Sequence, residues 1–257
     1  MSGLVLRLAG PLQSWGERSA FTPDRDTALF PTRSGLVGMF AAAEGITRHD
    51  SAALDRYTAL QFTVRIDRPG VRLIDYHTVG GGQPKDKTAA TSGGSNKGTA
   101  VITSRHYLAD AAFTVAVTGP EQTLAQIADV LHQPYWSPYL GRRSCVPDEP
   151  LILRTHAADP AAELLHHVPL PSDPSRAAPQ NGTIPVTFLW ERPPATPADN
   201  TDTFTVQDVP RSFAPHSRSH GRRLVYRTIE QLPAQLAASP HTLHRRLIDY
   251  ATKEVAA

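Results

Sequence analysis

The sequence predicts an α+β protein: a ferredoxin-like, RNA-recognition (RRM-like) sheet in the N-terminal part, followed by a smaller β-rich C-terminal portion. Three observations carry that prediction. Over the first 132 residues, period-2 alternation and helical spacing follow one another as strand, helix, strand, strand, helix, the order such a sheet requires. Turn chemistry separates these segments at Gly10-Pro11, Gly45, Asp67-Arg68-Pro69-Gly70 and Gly119-Pro120. From residue 156 onward, stretches rich in Pro, Ala, Ser, Asp and Thr bracket isolated strands, which places the domains at 1–155 and 156–257, the latter ending in a helix.

The first strand alternates Leu4, Leu6 and Leu8 against Val5 and Arg7, so one face is expected in the core and the other partly wet. A turn, Gly10-Pro11-Leu12-Gln13-Ser14-Trp15-Gly16, follows. Trp15 suits either a stack on a base or a lid on the core. Residues 17–30 read as an exposed loop whose Arg18 and Arg25 either contact phosphates or pair with Glu17, Asp24 and Asp26. Pro31 and Thr32 suit the start of a helix that Gly45 stops. Gly35, Gly38 and Ala41 to Ala43 give it a thin face, which implies close approach of the sheet or of an extended ligand. Arg33 and Ser34 stand at its N-terminus, where free N–H groups and the dipole attract an anion such as phosphate.

A short helical stretch at 52–60 precedes a second strand at 61–66 and a third at 71–79, expected to pair with each other as a hairpin. Residues 80–98 hold six of the 17 glycines, with Lys85, Lys87 and Lys97 against Asp86, and no large apolar side chain. Such a tract cannot form a core of its own; strands at 74–79 and 101–108 hold it at a fixed base, and its positive sign suits phosphates. The strand at 111–118 is expected to pair with 101–108, and 121–132 is an amphipathic helix. Leu140-Gly141-Arg142-Arg143 then forms a glycine loop whose arginine forks match phosphate oxygens or face Asp148 and Glu149. Strands follow at 151–154, 184–190, 203–209 and 224–226, with a helix from about Pro240. Arg211, Arg218, Arg222, Arg223 and Arg227 make a second basic face, toward RNA or toward another protein.

Composition limits the partners. With 26 Lys+Arg against 24 Asp+Glu over 257 residues the net charge is +2, so any nucleic-acid site must be local. One cysteine, Cys145, fits a reducing cytoplasm and a small buried hydrophobe. No apolar run approaches the ~20 residues of a spanning helix. A cytoplasmic protein without membrane contact is expected.

The turn at 10–16, the Arg/Thr loop after it, and Pro31-Thr32-Arg33-Ser34-Gly35-Leu36-Val37-Gly38 together resemble the CasD-type subunits of the type I-E CRISPR Cascade complex, members of the RAMP superfamily. Leu140-Gly141-Arg142-Arg143 and the tract near residue 80 agree, whereas the last 90 residues carry little of the resemblance. It implies that about 80–101 is a projecting β-hairpin thumb that presses on a guide RNA. It also implies a non-catalytic subunit that binds the 5′ handle of the CRISPR RNA and caps one end of an antiviral effector. The partners would be that RNA, the backbone subunit CasC, the large subunit CasA and, through the complex, target DNA. The RNA-binding set so expected is Gln13, Ser14, Trp15, Arg18, Arg25, Arg33, Ser34, Lys85, Lys87, Lys97, Arg105, Gly141, Arg142 and Arg143.

The competing reading is a metal-independent endoribonuclease that processes repeat RNA, with Tyr76, His77 and Lys85 or Lys87 as acid and base. The resemblance opposes it, because a separate subunit cuts the RNA in type I-E systems. A nucleotide-binding enzyme fails because the glycines at 80–82 and the Ser92 to Lys97 stretch do not form a phosphate-binding Gly-x-x-x-x-Gly-Lys-[Ser/Thr] loop. His166-His167, His216 and His220 lack metal-ligand spacing, and no cofactor is expected.

Overall fold

The computed structural model describes residues 3–16, 23–80, 84–88, 100–173, 179–194, 201–214 and 217–253. It is a mixed α+β structure dominated by one antiparallel sheet. In chain order the elements are β1 (Gly3–Ala9), β2 (Leu12–Gln13), β3 (Asp24–Arg25), α1 (Arg33–Ala43), β4 (Gln61–Arg68), β5 (Val71–Val79), β6 (Val101–Ala109), β7 (Ala112–Thr118) and α2 (Glu121–His132). The second part adds β8 (Ile152–Ala157), α3 (Pro160–His166), β9 (Leu170–Pro171), β10 (Thr183–Trp190), β11 (Asp202–Ser212), β12 (Ser219–Pro233), β13 (Ala237–Ala238) and α4 (Pro240–Thr252). The large sheet runs β11-β12-β10-β4-β7-β1-β8; a smaller sheet joins β5, β6, β2 and β3.

Leu4, Leu6 and Leu8 are fully enclosed, with Phe40, Phe62, Phe113, Leu124 and Ile127, beneath α1 and α2. Each such side chain contributes about 1.5–3 kcal/mol by leaving water. The opposite face is also covered, which the alternation in β1 does not predict. Val5 is buried with Leu153, Leu164, Leu232, Leu243 and Leu247 under α3 and α4, elements more than 150 residues downstream. On the same face Arg65 is fully buried: its Nε donates to Asp67 at 2.5 Å and its other nitrogens to the carbonyls of Leu164, Val168 and Pro169. A buried charge is tolerable only when its donors are satisfied in this way.

Two expected pairings are replaced by others. β4 does not form a hairpin with β5; it lies between β7 and β10. β7 does not pair with β6 but with β1 and β4. Instead β5 pairs with β6 along its whole length, from Val71 opposite Ala109 to Val79 opposite Val101. The cause lies in the two crossings between the sheets. Gly70 has φ +73°, and a Cβ there would stand 2.7 Å from the carbonyl oxygen of Ala109 and 2.8 Å from Ala111. The chain therefore leaves the large sheet at residue 70 and returns at 111, the two bends packed on each other.

Candidate nucleic-acid interface

The turn after β1 is a rigid frame. The Gln13 side chain, fully buried, donates to the carbonyls of Leu8 (3.0 Å) and Ala111 (2.8 Å), and its Oε1 accepts from the indole of Trp15 (3.0 Å). Trp15 is 1% exposed, and its ring explains the first helix glycine: a Cβ on Gly35 would approach it to 2.8 Å. The thin face of α1 thus receives Trp15, not an extended ligand. Thr32 caps α1 by accepting from the Gly35 N–H, and Gly45 ends it at φ +80°.

The N-terminus of α1 already holds an anion. Asp208 of β11 accepts from the Arg33 N–H at 2.7 Å and ion-pairs with Arg223 at 2.6 Å. The Arg33 guanidinium, 8% exposed, pairs with Glu191 at 2.6 Å and donates to the carbonyls of Tyr57 and Leu60. Burial pulls the pKa of Arg223 down, but Asp208 and Glu191 together raise it above its ordinary value. A carboxylate from 175 residues away therefore stands where the sequence places a phosphate. Ser34 is half-buried beside Thr32.

The glycine loop is different. Gly141 has φ +83°, and a Cβ would overlap the carbonyl oxygen of Ser14 at 1.8 Å, so only glycine lets this loop close on the turn. Ser14 N–H donates to Leu140 O (3.0 Å) and its hydroxyl to His106 O (2.9 Å), which ties the loop, the turn and β6 together. Arg142 Nη2 donates to the carbonyl of Arg25 at 2.8 Å, and the guanidinium lies 4.7 Å above the Tyr107 ring. Its Nη1 is buried and makes no hydrogen bond among the described residues. Arg25, on β3, faces Arg105 of β6 in register. Arg143 is exposed.

Two arginines outside the expected set complete the cluster. Arg218 is held below its ordinary pKa, first by loss of solvation and then by repulsion from Arg48 and Arg25, with Tyr139 acting in the other direction. Three arginines, from β3, from the segment after α1 and from the residue before β12, thus share one field. The structure brings Ser14, Arg25, Arg105, Gly141 and Arg142 together, and leaves Gln13, Trp15 and Arg33 enclosed and committed to protein partners. Lys87 is exposed beyond the β5–β6 hairpin. Arg18, Lys97 and the side chain of Lys85 lie outside the described residues. Of the second basic face, Arg223 is spent on Asp208 and Glu191, and Arg227 pairs with Asp202 at 2.5 Å, whereas Arg218 joins the cluster. Nothing in the local sequence marks Arg48.

His77 lies on β5 with Nδ1 3.8 Å from Asp75, and Tyr76, its neighbour, is 78% exposed. Successive strand residues point to opposite faces, so the two do not converge on one reacting atom. Among the described residues no His, Cys, Asp or Glu cluster could hold a metal ion, and no helix is long and apolar enough to cross a membrane.

The strand order defines a mixed α+β protein built on one large antiparallel sheet, and comparison with known proteins gives it a family. The family model described as CRISPR-associated protein (Cas_Cas5) matches residues 3–226, and the chain belongs to that family. It is 40% identical over 185 residues to the CRISPR system Cascade subunit CasD of Escherichia coli (strain K12), which spans 67% of this chain and 80% of that protein. Among solved structures, a chain of a CRISPR RNA-guided surveillance complex is 47% identical with a TM-score of 0.83, covering 98% of this chain and 100% of that one. A crystal structure of a Cas protein is 29% identical with a TM-score of 0.58, over 91% of this chain and 97% of the other.

Proposed function

We propose that this chain is a non-catalytic subunit of a Cascade-type effector, in which it binds the 5′ handle of the CRISPR RNA and caps one end of the assembly. The observation that carries the reading is the arginine cluster at the glycine loop: Arg25, Arg48, Arg142 and Arg218, drawn from four separate segments and set beside Tyr107 and Tyr139. Arg48 and Arg25 repel the charge on Arg218, a cost that an RNA phosphate offsets. The similarity to CasD and to a chain of an RNA-guided surveillance complex supports the partners expected from the sequence: CRISPR RNA, the CasC and CasA subunits, and target DNA through the complex.

In this reading β1-α1-β4-β7-α2-β8 is a ferredoxin-like unit over 1–155. Its four strands lie side by side in the order β4-β7-β1-β8, with the β5–β6 hairpin inserted in the chain between β4 and β7, and 156–257 extends and covers the sheet. The hairpin and its tip serve as the thumb. Val71, Ile74, Tyr76 and Ile102 are exposed on it, as suits an element that meets its partners only in the assembly. RNA contacts fall on Arg25, Arg48, Arg105, Arg142, Arg143, Arg218 and the lysines of the tip, while Gln13, Trp15 and Arg33 hold the frame.

The test is assembly of the effector with and without an intact tip. Replacing residues 82–97 by a short Gly/Ser turn is expected to leave the body folded and its thermal midpoint nearly unchanged, while guide-RNA placement and assembly fail. Normal assembly with normal target binding would overturn the thumb. The purified chain with its tip intact should leave repeat RNA uncut with or without magnesium; a discrete product lost in His77→Ala would restore the nuclease.

A further inference from the structure

The loop from α2 to the glycine turn carries two large aromatic side chains in water: Tyr135 is 72% and Trp136 45% exposed. Their rings meet edge to face, 4.7 Å between centroids at 86°. The pair stands on a fixed base. The Tyr135 N–H donates to Ala43 O at 2.8 Å, and its ring lies against Gly45, where a Cβ would come within 3.0 Å of Cγ. Exposed aromatic rings held rigidly are costly to hydrate and inexpensive to order, which suits a binding surface.

Its neighbours decide what it binds. Arg48 follows Gly45 by three residues and Tyr139 follows Tyr135 by four, and both act on Arg218. The pair therefore shares its two loops with Arg48 and Tyr139, and Tyr135 is anchored on Ala43 and Gly45 just ahead of the exposed Arg48. His132 at the end of α2, Gln133 and Ser137 in the loop, and Thr47, Arg48 and His49 after α1 are polar and exposed, which favours a polar, charged partner over an apolar protein face. Cations for phosphates and aromatic faces for bases are the two halves of single-stranded RNA recognition.

We infer that Tyr135 and Trp136 form a stacking platform for an unpaired base of the RNA whose phosphates lie on the arginine cluster; this rests on the RNA-binding reading above. The experiment uses the full chain and an oligoribonucleotide carrying the guide 5′ end, titrated at several salt concentrations with Trp fluorescence as a second signal. Trp136→Ala and Tyr135→Ala are expected to weaken binding about 5- to 100-fold at unchanged salt slope, since no charge is lost, and Trp136→Phe and Tyr135→Phe to retain most of it. Binding should also quench Trp136. If the wild-type chain binds with a normal salt slope and both alanine variants bind equally well without quenching in the parent, the platform is wrong and the RNA reading stands. Normal RNA binding by the variants with failed subunit assembly assigns the pair to a protein partner and likewise overturns the platform. A wild-type chain that does not bind the oligoribonucleotide, alone or in the assembled effector, overturns both.

Discussion

The N-terminus of α1 and the glycine loop both present arginines to an anion, and they solve the charge in opposite ways. At α1 the anion is internal: Asp208 sits on the first N–H, Glu191 on Arg33, and Arg223 bridges the two carboxylates. At the loop, Arg142 has a carbonyl, a ring and one unpaired nitrogen, and Arg218 has Arg48 and Arg25 for neighbours. The first is a clamp that fastens β11 and β12 to the helix. The second sets arginine beside arginine. Arginine density alone does not separate the two; what does is where the chain later places its carboxylates.

The largest expected effect breaks the clamp. Asp208→Ala leaves Arg223 with Glu191 as its one carboxylate and the α1 N-terminus without its anion in a buried setting, so stability should fall by about 3 kcal/mol in urea unfolding. The salt slope of RNA binding should stay as it is. If the variant instead binds RNA more tightly, α1 does host a phosphate and the contrast between the two sites collapses.

A smaller effect sharpens it. Arg218→Ala should change stability by less than about 1 kcal/mol, because among the described residues its side chain makes no ion pair and its arginine neighbours repel it. It should weaken RNA binding across sequences and lower the salt slope by about 0.7. Arg142→Ala should do the same to the slope and add about 1 kcal/mol of instability from the lost hydrogen bond to Arg25 and the Tyr107 contact. An unchanged slope in both variants would show that the cluster does not meet phosphate.

Much of the frame is legible in the sequence because its signals are local. Thr32 and Gly45 bound α1 as their chemistry dictates, α4 begins at Pro240, and Gly141 marks a close approach that turns out to be Ser14 O. The pairing of 71–79 with 101–109 is not legible, since β4 and β7 offer equally regular alternation and only the packed bends at Gly70 and Ala111 decide the partner. The burial of Arg65 escapes for another reason: the carbonyls of Leu164, Val168 and Pro169 that satisfy it come from a segment about 100 residues later. Arg33 misleads for the same cause, and Arg48 gives no local sign at all because its meaning depends on Arg218.

The smallest effect probes the border between the two regions, where His220 feels the charges of both Arg218 and Asp208 and lies 6.4 Å from the Phe213 ring. Burial, then Arg218, hold its pKa below 6.5, while Asp208 opposes them weakly. The folded protein therefore keeps His220 neutral at a pH where the unfolded chain takes up the proton. The stability it contributes is fully present above pH 6.5 and is lost as pH falls below that value toward the folded pKa. A phosphate beside Arg218 reverses the sign for binding: its negative charge raises the His220 pKa, so complex formation takes up a proton and tightens as pH falls toward the pKa of the free protein. His220→Gln should flatten both trends, making the variant relatively more stable in acid and its RNA affinity less dependent on pH. Paired unfolding and binding titrations between pH 5 and 8 measure the two together. A stability trend that flattens while the binding trend persists would place the phosphate elsewhere in the cluster, on Arg142 and away from Arg218.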